Sequence, residues 1–185
     1  GRDALRRAAM REIARTSGLP GRRRLWEVLM YKKILVPYDK SEPARHALEQ
    51  ALELVKDVDG AEVTVLNVVD WRDYNAETFK IASRMSGVLG DAYDSTAIAS
   101  VGEEAAREAS ERIAEDIADL VSDEVSVSIA IVNGSAHDAI TAYADEGDYD
   151  CIVMGHRGLG AVRGMIGSVC YSVLHKTGMP VLIVK

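Results

Sequence analysis

The 185-residue chain has two cysteines, no Gly-Lys dipeptide, and no apolar run near the roughly 20 residues that a membrane span requires. Each absence removes a class of protein. Cys151 and Cys170 are too few for a disulfide framework and match no zinc spacing, so both are expected as small buried apolar residues. His46, His137, His156 and His175 are scattered, none beside another His or Cys at ligand spacing, and no metal site is expected. A Walker phosphate loop needs Gly-Lys followed by Ser or Thr, so it is ruled out. Gly158, Gly160 and Gly164 miss the GxGxxG dinucleotide fingerprint by one residue and lie late in the chain. With no membrane span, and no signal-peptide apolar core at the N-terminus, a cytoplasmic protein is expected.

What is present is an apolar fraction of 48% and a net charge of −7, unevenly spread. Residues 1–29 hold eight arginines against Asp3, Glu12 and Glu27, and the remainder holds 14 basic and 26 acidic side chains. Two parts follow: an arginine-rich extension over 1–29 and one domain over 30–185. The acidic domain argues against a nucleic-acid surface on it. Leu5, Ala8, Ala9 and Ile13 give the extension only a thin helical stripe, broken at Ser17-Gly18-Leu19-Pro20-Gly21. It reads as a non-native extension upstream of Met30, as a dimer-stabilising or membrane-surface helix, or as a nucleic-acid arm. The first is preferred because Met30 directly precedes a strand pattern and because the chain starts with Gly1.

From Tyr31 the pattern alternates strand and helix. Lys33 to Pro37 is a short apolar run of the kind buried on both faces. Ser41 caps the next helix, Pro43 lies in its first turn, and Ala44, Ala47, Leu48, Ala51, Leu54, Val55 and Val58 recur at helical spacing. Val63 to Val69 is a second strand. Residues 70–100, with Trp71, Tyr74, Phe79, Met85 and Tyr93, show no clean period and read as a mobile excursion or a short helix. A helix is predicted from about Val101, placing Ala106, Ala109, Ile113, Ile117, Leu120 and Val121 on one face. Val125 to Val132 is a third strand, and Ser135 with Asp138 stands in capping-box register before another helix. Cys151 to Met154 is the fourth strand, Ser168 to about Lys176 a helix, and Val181 to Val184 the last strand. This alternation predicts an α/β fold, a five-stranded parallel, doubly wound sheet with helices on both faces.

The stretch from Val153 to Ser168 organises the rest. An apolar strand ends in Gly155 and Gly158, and Gly167 leads into a helix beginning at Ser168. Free N–H groups and the positive end of a helix dipole converge there on an anion, and a phosphate is the natural guest. Glycine admits a phosphate to the main chain and reaches positive φ; alternatively these glycines only turn the chain. If the first and fourth strands are neighbours, Asp39 faces this loop across one crevice. Its carboxylate can accept from a ribose or an adenine amino group, or can satisfy main-chain donors in its own turn.

Ile34-Leu35-Val36-Pro37-x-Asp39-x-Ser41, Leu66-x-Val68-x-Asp70, and the closing Gly-Ser helix followed by Pro180-Val-Leu-Ile-Val together resemble the universal stress protein (UspA) family. The resemblance spans Tyr31 to Lys185. Its ATP-binding branch carries GxxG, nine residues, then Gly followed by Ser, Thr or Asn; here eight residues separate Gly158 from Gly167. The resemblance implies an adenine nucleotide alpha hydrolase-like fold that binds ATP, with Mg²⁺ held through the phosphates. Pro37, Tyr38, Asp39 and Val68 would surround the adenosine. Met154, Gly155 and Gly158 would line the α-phosphate side, and Gly167 with Ser168 would hold the outer phosphates. It also implies a homodimer through Val181 to Val184, an apolar edge that asks to be covered in any case. No general base is apparent, so catalytic residues are not assigned and any ATP hydrolysis is expected to be slow. The competing expectations are a nucleotide-free interaction module of the same fold and an adenylating enzyme, the latter disfavoured by the lack of an SGGxDS signature.

Overall fold

A strand segment buried on both faces must be apolar, and the centre of β1 (Lys33–Pro37) meets that condition: Ile34, Leu35 and Val36 are all fully buried. A computed structural model of the chain describes residues 31–69, 95–122, 124–159 and 165–185. After β1 come α1 (Glu42–Val55), β2 (Glu62–Val69), α2 (Ser95–Ile117), β3 (Ser126–Asn133), α3 (Ala136–Glu146), β4 (Cys151–Gly155), α4 (Ser168–Lys176) and β5 (Val181–Val184). All the strand pairings are parallel and the order is β3-β2-β1-β4-β5. Ile34 pairs with Val63 on one side of β1 and with Cys151 on the other, so β1 and β4 are neighbours at the point where the strand order reverses.

The period of two along the strands divides the core. Ile34, Val36, Val63, Val65, Cys151 and Val153 point to the face covered by α1, through Ala44, Ala47, Leu48, Ala51 and Val55, and by α2, through Ile113 and Ile117. Leu35, Leu66, Ile152 and Met154 point to the opposite face, covered by Ile140 and Ala144 of α3 and by Cys170 and Val173 of α4. Both cysteines are free and buried, and burial raises both thiol pKa values, which keeps them unreactive at neutral pH.

Local chemistry sets the element ends. Ser41 caps α1, its Oγ accepting from the Ala44 N–H at 3.3 Å, and Pro43 stands in the first turn. Asp150 Oδ2 accepts from the N–H groups of Lys32 and Lys33, tying the start of β1 to the start of β4. Gly60 closes the turn after α1 at φ +70, where a side chain would be strained.

Two sequence expectations change. α2 begins at Ser95, not near Val101, and ends at Ile117, leaving Leu120 and Val121 in the turn that follows. Its first residues, Ser95-Thr96-Ala97-Ile98-Ala99-Ser100, display no clear apolar period, so nothing in the pattern marks the start. The capping box on α3 does not form: Ser135 stands at the N-cap, but its Oγ lies 2.7 Å from His137 Nδ1, and Asp138 pairs with Lys176. A nearby imidazole outcompetes the helix amides for the hydroxyl. The expectations for residues 1–29 and for the stretch holding the aromatics between Trp71 and Tyr93 lie outside the described residues. No helix among the described residues is long and apolar enough to cross a membrane.

Tyr38 fastens α2 to the end of β1. Its ring is buried, its hydroxyl donates to Asp116 Oδ2 at 2.5 Å, and Arg45 donates to the Asp116 carbonyl at 2.7 Å. Burial, and then the bond to Asp116, raise the Tyr38 pKa well above its ordinary value. Since the folded pKa is the higher one, the stabilisation is complete below the unfolded value of about 10 and is lost as pH rises beyond it. Unfolding midpoints measured from pH 8 upward are therefore expected to fall above about pH 10, and Tyr38→Phe to flatten that fall while costing about 1 kcal/mol at neutral pH.

Candidate functional site

Parallel strands deliver their carboxyl ends to one edge of the sheet, and the reversal between β1 and β4 opens a gap there because their outgoing chains part in opposite directions. A crevice of about 400 Å³ occupies this gap, within the range of small-ligand sites. Pro37, Tyr38, Asp39, Val68, Met154, Gly155, Gly158, Gly167 and Ser168 all line it, so the fold brings together the nine residues singled out from the sequence. Its floor is apolar, with Leu66, Met154, Ile140 and Cys170 nearly inaccessible to solvent. Asp39, Asn67, Arg157 and Ser168 supply polar groups around that floor.

The two loops are tied to each other. Asp39 Oδ1 accepts the Ser41 N–H at 3.0 Å and Oδ2 accepts the Leu159 N–H at 3.1 Å, so one carboxylate spans the β1 turn and the glycine loop. Asn67 Nδ2 donates to the Tyr38 carbonyl at 2.7 Å, and the Gly167 N–H donates to the His156 carbonyl at 2.8 Å, pinching the glycine loop at its base. The Gly167 amide, which a phosphate was expected to find, is thus engaged by the protein, as is the amide of Leu159 beside Gly158.

The amides heading α4 differ. Tyr171 makes the first intrahelical bond, to the Gly167 carbonyl, so the N–H groups of Ser168, Val169 and Cys170 have no carbonyl of their own helix to meet. The N-cap is Gly167, which has no side chain to offer them, whereas α1 is capped by Ser41. All three residues line the crevice.

Close approach, not positive φ, explains the three glycines. None is in the left-handed region; the positive-φ glycines among the described residues are Gly60 and Gly134. A Cβ on Gly155 would sit 2.7 Å from the Pro43 carbonyl carbon, one on Gly158 would collide with Asp39 Oδ2, and one on Gly167 would lie 3.3 Å from the Arg157 Cα. Tyr38 also differs from its sequence picture, since its hydroxyl is committed to Asp116 on α2. His156 turns to β5, with Nδ1 3.1 Å from the Val184 carbonyl.

The sequence model of the universal stress protein family matches residues 30–185. The chain belongs to that family. Universal stress protein MJ0577 of Methanocaldococcus jannaschii is 32% identical over 163 residues, which is 85% of this chain and 96% of that one. Universal stress protein YxiE of Bacillus subtilis is 28% identical over 157 residues, covering 84% of this chain and all of that protein. The solved structure of MJ0577 superimposes with a TM-score of 0.61, covering 84% of this chain and 96% of its own. A universal stress protein crystallised in complex with cAMP shares the fold at 22% identity and TM-score 0.52, covering 84% of this chain and 97% of that one.

Within this universal stress protein, the crevice also draws on residues that sequence reasoning passed over. Asn67, Ala136 and Ile140 line it together with Leu159, Met165 and Ile166. Ala136 opens the helix after β3, so the rule that ligands collect at strand carboxyl ends would have reached it. Asn67 was marked by a polar side chain within an apolar strand. No three His, Cys, Asp or Glu side chains among the described residues gather to hold a metal ion.

The Asp39 clasp has a measurable worth. Removing both acceptor oxygens in Asp39→Ala is expected to cost about 1–2 kcal/mol in urea unfolding, from two hydrogen bonds to a half-buried carboxylate. An unchanged midpoint would mean that the bonds to Ser41 and Leu159 do not hold the loops.

Proposed function

We propose that the domain over 30–185 is an ATP-binding universal stress protein, acting in the cytoplasm as a homodimeric, nucleotide-dependent regulator and hydrolysing ATP slowly at most. The observation that carries this reading is the crevice itself: an apolar slot bounded by polar groups, with the uncapped amides of α4 at one side. An apolar floor suits a purine, and a helix N-terminus suits phosphates. In this reading Pro37, Tyr38, Asp39 and Val68 border the adenosine, with Val68 contributing mainly backbone. Met154, Gly155 and Gly158 flank the α-phosphate, and Gly167 and Ser168 take the outer phosphates. A Mg²⁺ ion is held through those phosphates, and no residue is assigned a catalytic role. Residues 1–29 form a separate extension in this scheme.

The Asp39 bonds favour one competing reading. A carboxylate with both oxygens already accepting main-chain donors suits a closed interaction module that takes no nucleotide. Titration calorimetry with ATP and Mg²⁺ separates the two. Saturable binding is expected, abolished by Gly158→Val, whose side chain drives into Asp39. Ser168→Ala is expected to weaken binding about 3- to 10-fold, the worth of one hydrogen bond. No binding heat from the wild type, or binding that survives both substitutions unchanged, would rule the nucleotide reading out.

The dimer rests on β5, which pairs with β4 along one edge and ends the sheet on the other. Leu182 on this strand and Tyr171 and Leu174 on the neighbouring α4 are exposed apolar side chains. Leu182→Lys is expected to convert dimer to monomer in sedimentation equilibrium without lowering the helix signal in circular dichroism. A wild type that sediments as a monomer would end this part of the proposal.

A further inference from the structure

Among the described residues lining the crevice, Arg157 is the one cationic side chain and Asp39 the one anionic. Asp39 is committed to the N–H groups of Ser41 and Leu159. Arg157 Nε is shut away from solvent and has no hydrogen-bond acceptor among the described residues. A guanidinium does not shed its proton to escape burial, so an enclosed, unanswered N–H on it is a standing cost to the folded protein. Nothing among the described residues recovers that cost. The backbone of Arg157 lies against the α4 N-cap, since a Cβ on Gly167 would come 3.3 Å from the Arg157 Cα. Arg157 lines the same crevice as Ser168, Val169 and Cys170, whose amides have no carbonyl of their own helix to meet.

We propose that Arg157 is the residue by which this site selects phosphorylated over unphosphorylated ligands, its side chain turning from its enclosed position to bring the guanidinium, Nε included, onto phosphate oxygens. The inference rests on the nucleotide reading of the crevice and adds to it the group that reads charge. The planar fork of an arginine matches two phosphate oxygens at once, which neither a main-chain amide nor a lysine does. The need for a cation is acute here, because a chain of net charge −7 repels a polyanion until a local charge reverses the field. The acceptor that Nε lacks in the protein is the one that a phosphate supplies.

Arg157→Met and Arg157→Lys test this by calorimetry with three probes: ATP with Mg²⁺, adenosine, and inorganic pyrophosphate. Arg157→Met is expected to weaken ATP and pyrophosphate about 10- to 100-fold and to leave adenosine within about threefold, as befits a lost charge-assisted contact. Arg157→Lys is expected to fall between, and to retain more of the salt dependence of ATP binding than the methionine variant. The ligand-free methionine variant should melt at or above the wild-type temperature, because it removes an unsatisfied buried donor; a structural role predicts a lower one. ATP binding within about threefold of wild type in Arg157→Met, or equal losses of ATP and adenosine, would overturn the proposal. A wild type that binds pyrophosphate through Arg157 but ignores adenosine would overturn the nucleotide reading and leave the arginine's role intact. Binding of none of the three probes would overturn both.

Discussion

The pairing of β1 with β4 is the constraint on which the rest depends. Crossovers between parallel strands are right-handed, so a chain that builds outward from β1 through β2 to β3 lays its helices on one face. Returning past β1 to add β4 and β5 reverses the direction and sends the later helices to the other face. The burial pattern records this: α1 and α2 cover the side chains of Ile34 and Val36, while α3 and α4 cover that of Leu35. Where the direction reverses, the segments leaving β1 and β4 diverge, and among the described residues no helix covers the gap between them. The crevice is thus a product of topology before any side chain is chosen.

Side chains then decide what the gap becomes. Left alone, two divergent loops would be loose, and here they are held by a few polar contacts: Asp39 to Leu159, Asn67 to Tyr38, Gly167 to His156. These bonds demand close approach, and the glycines at 155, 158 and 167 make it possible by leaving room for Pro43, Asp39 and Arg157. The glycine pattern that signals a phosphate loop in sequence is therefore, in space, first a packing pattern. The capacity to meet an anion comes from a different feature, the N-cap of α4, where a glycine withholds the side-chain oxygen that Ser41 gives to α1. Packing and recognition share the same small residues for separate reasons.

The architecture was legible because its signal is redundant. The short run Ile34-Leu35-Val36 before a turn suits a doubly covered strand, and the periodic alanines and leucines after Ser41 suit a helix laid on it. The site was legible to the extent that it sits on strand ends: knowing where β1, β2 and β4 stop yields Pro37, Val68 and Met154 without further information. What escaped prediction depends on choices among equivalent partners. The start of α2 carries no apolar stripe, so nothing in its letters separates it from a loop. The hydroxyl of Ser135 had a helix and an imidazole within reach, and took the imidazole. Tyr38 sits at a strand end facing the crevice in sequence terms, yet the alternation that buries Val36 on the α1–α2 face carries Tyr38 there as well, to Asp116.

The crevice also shows how stability and recognition pull apart within a few ångströms. Asp39 is a charge fully used by its own fold: both oxygens accept main-chain donors, and the loops gain definition from it. Arg157 is the opposite case, a crevice-lining residue whose Nε is enclosed and meets no acceptor among the described residues. Had the two side chains paired, each would have been satisfied and the crevice would carry no net preference for an anion. Keeping the carboxylate on the backbone leaves no ion pair between the two, and a cation that no acid neutralises attracts an anion far more strongly in a partly dry slot than in water. The acidic remainder of the domain sharpens that contrast, because it discourages anions elsewhere on the surface. A selective anion site can therefore arise in an acidic protein from one arginine, provided the nearest acid is already engaged.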